Sequence, residues 1–153
     1  MGVLDQILPL ATDGETTRHR FSPAEVEGIM GAIYARGDRL MGRFVLGHVA
    51  LSIALAPFYG TWTVTAIWGG ISAAAFFLSV WLFPGRFFTR AMAGVVLESF
   101  CALHIWQMQG QPEQHFWFFI GFTMMIVYQD WLCMWPGALL IILQHSLFAY
   151  FHN

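Results

Sequence analysis

Three histidines, His104, His115 and His145, fall on three successive apolar stretches of the chain. His104 and His115 lie five to six residues either side of Gln109-Gly110, and His115 and His145 each lie 15 residues from Asp130. If the stretches are antiparallel helices rising about 1.5 Å per residue, equal offsets from a shared turn mean equal height. A neutral imidazole binds copper, zinc or haem iron, so three at one level on neighbouring helices form a candidate metal site. Copper is the preferred ion, because imidazoles with a thioether such as Met108 nearby suit it better than a hard cation does. Zinc is one alternative. Haem b is the other, with His115 and His145 as two axial ligands.

Five further residues are candidates to support that site. Glu98 is a carboxylate in mid-stretch, where lipid demands that it be protonated or partnered; it serves as a proton relay, holds a water, or bonds an adjacent helix. Cys101, one turn below His104, is a soft fourth ligand or a packing residue. Glu113, two residues before His115, orients an imidazole or complements a helix N-terminus. Met108 offers a thioether. His48 lies 12 residues from Gly60, deeper than His104 by about 9 Å, so it reads as a separate or supporting position.

Those residues need helices in lipid to position them. Of 153 residues, 58% are hydrophobic and only 10% charged, against about a quarter in soluble domains. The expected fold is all-α: a polytopic membrane bundle of about five transmembrane helices after a short amphipathic helix. Ser22-Pro23-Ala24-Glu25 places a hydroxyl at N-cap, Pro at N1 and Glu at N3, and Val26, Ile29, Met30, Ile33 and Tyr34 then recur at helical spacing. Gly37 is read as ending this helix and Asp38 as capping the next. Residues 1–37 are thus a cytoplasmic tail plus amphipathic helix, and 38–153 the bundle. The spans expected are 44–59, 62–83, 91–108, 113–128 and 136–151, with a basic turn from Pro84 to Arg90.

The chain has no lysine, and its seven arginines all precede span one or lie in the turn between spans two and three. By the positive-inside rule those regions face the cytoplasm, which puts the histidine layer in the outer leaflet and the C-terminus in the periplasm of a bacterial inner membrane. No basic region precedes the apolar run near Met1, so no cleaved signal peptide is expected. A net charge of -2 gives no basic surface for nucleic acid. Cys101 and Cys133, at opposite depths, are not expected to pair. Asp130 is expected to cap or brace the turn between spans four and five. His19 and His152 lie near the ends and stay outside the site.

The run Pro84-Gly85-Arg86 with Thr89-Arg90, then His104-Ile105, Gly110, Glu113, His115-Phe116, Tyr128-Gln129-Asp130-Trp131 and His145 with Phe148, resembles a multi-span membrane sensory module. That module stands at the N-terminus of many bacterial methyl-accepting chemotaxis receptors, diguanylate cyclases and histidine kinases. The resemblance covers about Asp38 to Phe151 and implies ligand or metal sensing without implying a cofactor. Family members often carry extra histidines where this chain has Trp106, Trp117 and Gln144, and an arginine in place of Gln129. They usually continue into a sixth span and a cytoplasmic effector, so five spans are read either as a stand-alone relative that signals through a second copy or a separate partner, or as a truncated module. The expected role is therefore non-catalytic: a copper-binding sensory module in the lipid bilayer. A b-type haem protein of electron transfer and an integral membrane copper enzyme are the alternatives.

Overall fold

The computed structural model describes residues 21–151. Among them every regular element is helical: α1 (Pro23–Tyr59), α2 (Trp62–Leu82), α3 (Phe87–Gln107), α4 (Phe116–Met125) and α5 (Trp135–Phe151). The tail at residues 1–20, with His19, and the terminal His152 lie outside the described residues. Three helices, α1, α2 and α3, are long and apolar enough to cross a membrane. The 21 residues of α2 rise about 31 Å, the thickness of a hydrocarbon core. The α4 and α5 segments are shorter.

α1 starts where its capping box requires. The Ser22 amide donates to Glu25 Oε2 at 2.8 Å and the Glu25 amide to Ser22 Oγ at 3.3 Å, with Pro23 at the first helical position. The Ser22 amide first, and then its hydroxyl, hold the Glu25 carboxyl below the ordinary carboxylate range. The far end closes on Gly60, whose φ of 64° is the left-handed C-cap conformation that glycine adopts without strain.

The break expected at Gly37 is absent: α1 runs unbroken for 37 residues, about 55 Å, and the boundary between residues 37 and 38 falls inside it. Gly37 is needed for a different reason. A Cβ there would stand 2.5 Å from Cε1 of the Tyr128 ring, so the glycine admits an aromatic side chain from the end of the fourth segment. Asp38 caps no helix; its carboxylate accepts from the Tyr128 hydroxyl and from the Gly85 amide, both at 2.9 Å. α3 also begins earlier than expected, at Phe87, and the basic turn is correspondingly shorter.

α3 is the central helix, packed against all four others. Its Val96, Leu97, Phe100 and Leu103 join Met41 and Val45 of α1, Phe76 of α2 and Met125 of α4 in the main core. The outward faces are apolar too, with Leu46, Phe58, Ile71, Trp81 and Phe119 exposed, as expected where the surrounding solvent is hydrocarbon. Two irregularities matter for the chemistry. A π-helical segment, Thr65–Gly69, interrupts α2, and a 3-10 turn, Pro112–His115, leads into α4.

Candidate functional site

Two groups of hydrogen-bonded polar side chains stand apart along α1 and α3, the histidine end and the arginine end. At the histidine end, α1 and α3 bring His48, Ser52, His104 and Gln107 together in the interior. The His104 and His48 rings stack, with centroids 5.1 Å apart, and the Trp117 ring meets both edge-on. The Ser52 hydroxyl donates to the His48 carbonyl at 2.9 Å, which leaves Ser52 Oγ to accept from His104 Nε2, also at 2.9 Å. One hydroxyl proton cannot serve both bonds. His104 is therefore protonated at Nε2, and its Nδ1, like that of His48, is buried with no hydrogen-bond partner among the described residues.

Gln107 lies one turn further along α3. Its Nε2 stands 3.0 Å from the Ser52 carbonyl, 3.0 Å from Thr61 Oγ1 and 2.9 Å from Thr65 Oγ1. A carbonyl accepts only, so the Ser52 contact fixes which way round the amide sits. Thr65 belongs to the π-helical segment, whose wider turn is part of the wall around this amide. Nothing in the residue pattern singles out Gln107, Thr61 or Thr65, since amides and hydroxyls near span ends are ordinary.

His115 and His145 form a second pair. Their rings meet edge to face with centroids 5.8 Å apart, and Phe118 packs against both. His115 Nδ1 is 3.2 Å from the Pro112 carbonyl, and His145 Nδ1 is 3.0 Å from the Ile141 carbonyl. The expected layer of three histidines is thus drawn apart: His104 packs with His48, and His115 with His145. Among the described residues no group of three or more His, Cys, Asp or Glu side chains converges as metal ligands do. Equal height is only half of the requirement; the direction in which each side chain leaves its helix separates His104 from the other two. His48 is not a deep outlier either. Its ring stacks on that of His104, so residue counts taken from two turns on different helices do not give a common depth.

The remaining candidates are scattered. Glu98 is buried to 1% exposure, with no hydrogen-bond partner among the described residues for either carboxyl oxygen. It sits in a slot of glycines: a Cβ on Gly121 would stand 2.6 Å from its Oε1, and one on Gly137 3.2 Å from its Cγ. Cys101 is buried beside Ile105 and Phe118. Met108 is half-buried at the C-cap of α3, and Glu113 is exposed in the 3-10 turn.

At the arginine end a polar network ties four segments together. Arg90 of α3 donates through Nε and Nη2 to Asp130 Oδ2 at 3.1 and 2.8 Å, and through Nη1 to the Gly85 carbonyl at 2.7 Å. Its guanidinium lies over the Tyr34 ring of α1, 3.7 Å from the centroid. Asp130 Oδ1 accepts from the Leu132 amide at 3.1 Å, so the residue caps its turn as expected and also holds an arginine that the turn sequence does not reveal. Cys133, fully buried, donates its S–H to the Asp130 carbonyl. Both cysteines are free and buried. Neither is expected to react with N-ethylmaleimide in the folded protein at pH 8, because a nucleophilic thiol must be both ionised and reachable. Mass analysis checks this, and a maleimide adduct on either cysteine before unfolding would contradict the packing.

Over 137 aligned residues, covering 80% of its length, the chain is 29% identical to a transducer protein of Halobacterium salinarum. It spans 21% of that protein. No family model matches the chain, and no solved structure matches it.

Proposed function

We propose that this chain is a sensory or signal-transduction module of a prokaryotic cytoplasmic membrane. The observation that carries this reading is the similarity to a transducer protein along four-fifths of the chain. The architecture supports it physically. α1 contributes Asp38 to one end and His48 and Ser52 to the other, while α3 contributes Arg90 to one end and His104 and Gln107 to the other. A shift at the histidine end therefore reaches the arginine end along two packed, rigid elements, the means by which distant sites become coupled.

The positive-inside rule supports a cytoplasmic arginine end and an outward histidine end, on a bundle read as five spans. Input is then received at the histidine end, with copper as the preferred ion there and zinc and haem b as alternatives. Output is delivered at the arginine end, where a second copy or a signalling partner can receive it.

A chimera tests the sensory role whatever the stimulus is. The segment of the halobacterial transducer that this chain matches is replaced by the chain, and signalling output is recorded in cells for the intact chimera and for versions carrying His104→Ala or Arg90→Lys. Coupling between the ends predicts that the chimera signals and that both substitutions shift its basal output. A chimera that inserts at the normal level yet behaves in all three forms like a transducer lacking the segment overturns the reading.

A further inference from the structure

We propose that His115 and His145 form a two-imidazole copper site with an open coordination position, separate from the His48–His104 pair. This deepens the reading of the histidine end as an input site and rests on it. Both Nδ1 atoms face backbone carbonyls, His115 that of Pro112 and His145 that of Ile141. A carbonyl oxygen accepts only, so in each neutral ring Nδ1 carries the proton and Nε2 the lone pair. An Nδ1–H held by a carbonyl is the arrangement that orients an imidazole for metal binding through its other nitrogen. His104 is wired the opposite way, through Nε2 to Ser52.

The two rings border one cavity of about 230 Å³, lined also by Ile105, Gly110 and Gln144. That is below the roughly 300–1,000 Å³ of organic-ligand pockets, so it suits an ion with one or two small ligands better than a porphyrin. The spacing fits as well. A metal–nitrogen bond of about 2.0–2.1 Å plus a ring radius of about 1.1 Å puts each ligating centroid roughly 3.2 Å from the ion. Centroids 5.8 Å apart then subtend an angle of about 130° at the metal. Two side chains at that angle leave room for a third ligand. The Gln144 amide borders the cavity, and a molecule arriving from outside can take the open position.

The donor set selects the ion. Among the described residues no carboxylate or thiolate lines the cavity, which disfavours magnesium and calcium, while neutral imidazoles bind copper more tightly than zinc in the usual order of stabilities.

The test is titration of the metal-free full chain, in lipid nanodiscs and without a histidine tag, with cupric ion alone. The expected result is one copper per chain, with pulsed electron paramagnetic resonance showing two coordinated imidazoles. His115→Ala and His145→Ala should each weaken binding by more than the roughly 10–100-fold that loss of a merely orienting partner costs. His104→Ala and His48→Ala should bind as the parent does. Three imidazoles in the parent spectrum, loss of binding on His104→Ala, retention in both His115→Ala and His145→Ala, or zinc displacing copper at equal concentration would each overturn the proposal. The imidazole count is taken on the unaltered chain, so it decides even where a variant misfolds. A signalling chimera with no such copper site removes this proposal and leaves the sensory role. A copper-loaded chain whose chimera is silent does the reverse.

Discussion

Arg90→Ala is expected to destabilise the folded chain by about 3–5 kcal/mol, the cost of leaving one member of a buried ion pair without its partner. The Arg90 and Asp130 side chains are only 8% and 15% exposed, so solvent screening offers little relief. The same change strips the Gly85 carbonyl of its donor and removes the cation from the Tyr34 ring. Arg90→Lys keeps the charge but loses the two-pronged donation to Asp130, and should fall between the parent and the alanine variant. The double change Arg90→Met with Asp130→Leu should be less damaging than Arg90→Ala alone, since it leaves no buried charge uncompensated. Chemical unfolding in detergent micelles measures all of these. A loss below about 1 kcal/mol for Arg90→Ala, the range of surface pairs, would show that the ion pair is solvated and contributes little.

That network shows what a sequence exposes and what it hides. The Ser22 capping box and the Asp130 cap are both legible, because each is a contact between residues two or three apart and the chain spells it out. The partner that makes Asp130 matter, Arg90, is 40 residues away. In the sequence it is one of seven topology-marking arginines, because positive charge in a turn already has a sufficient local explanation. Gly37 and Asp38 mislead for the same reason. A glycine followed by an aspartate is a good local stop-and-start signal, but both residues are spoken for by Tyr128, about ninety positions on, and helix propensity loses to that tertiary contact.

The histidines show a second kind of limit. Depth along a helix follows from counting, and on that basis His115 and His145 are correctly set side by side. Direction around the helix does not follow, nor does the relative height of turns that share no helix. Those two unknowns assign His104 to the wrong partners and hide the one it has in His48. Gln107 carries no sequence signal at all, since its partners Ser52, Thr61 and Thr65 come from α1, a turn and a π-helical segment, with no spacing to announce them.

Gly37→Ala is expected to cost about 1–3 kcal/mol, although alanine is the better helix former. The added methyl carbon would stand 2.5 Å from Cε1 and 2.6 Å from Cδ1 of Tyr128. The ring cannot swing away cheaply, because it is fully buried and its hydroxyl is tied to Asp38. Either α1 separates from the end of the fourth segment or that hydrogen bond breaks, and both loosen the arginine end. Gly31 of the same helix is the control. Among the described residues nothing lies within 4 Å of its missing Cβ, so Gly31→Ala should stabilise by roughly 0.5–1 kcal/mol through propensity alone. Two identical substitutions six residues apart should therefore act with opposite sign. Tyr128→Leu closes the cycle: it is destabilising by itself, but with the ring gone Gly37→Ala should cost little more, an interaction of the size seen between side chains in direct contact. If Gly37→Ala stabilises as Gly31→Ala does, the close approach of Tyr128 to α1 is absent, and with it the contact through which Asp38 joins α1 to the fourth segment.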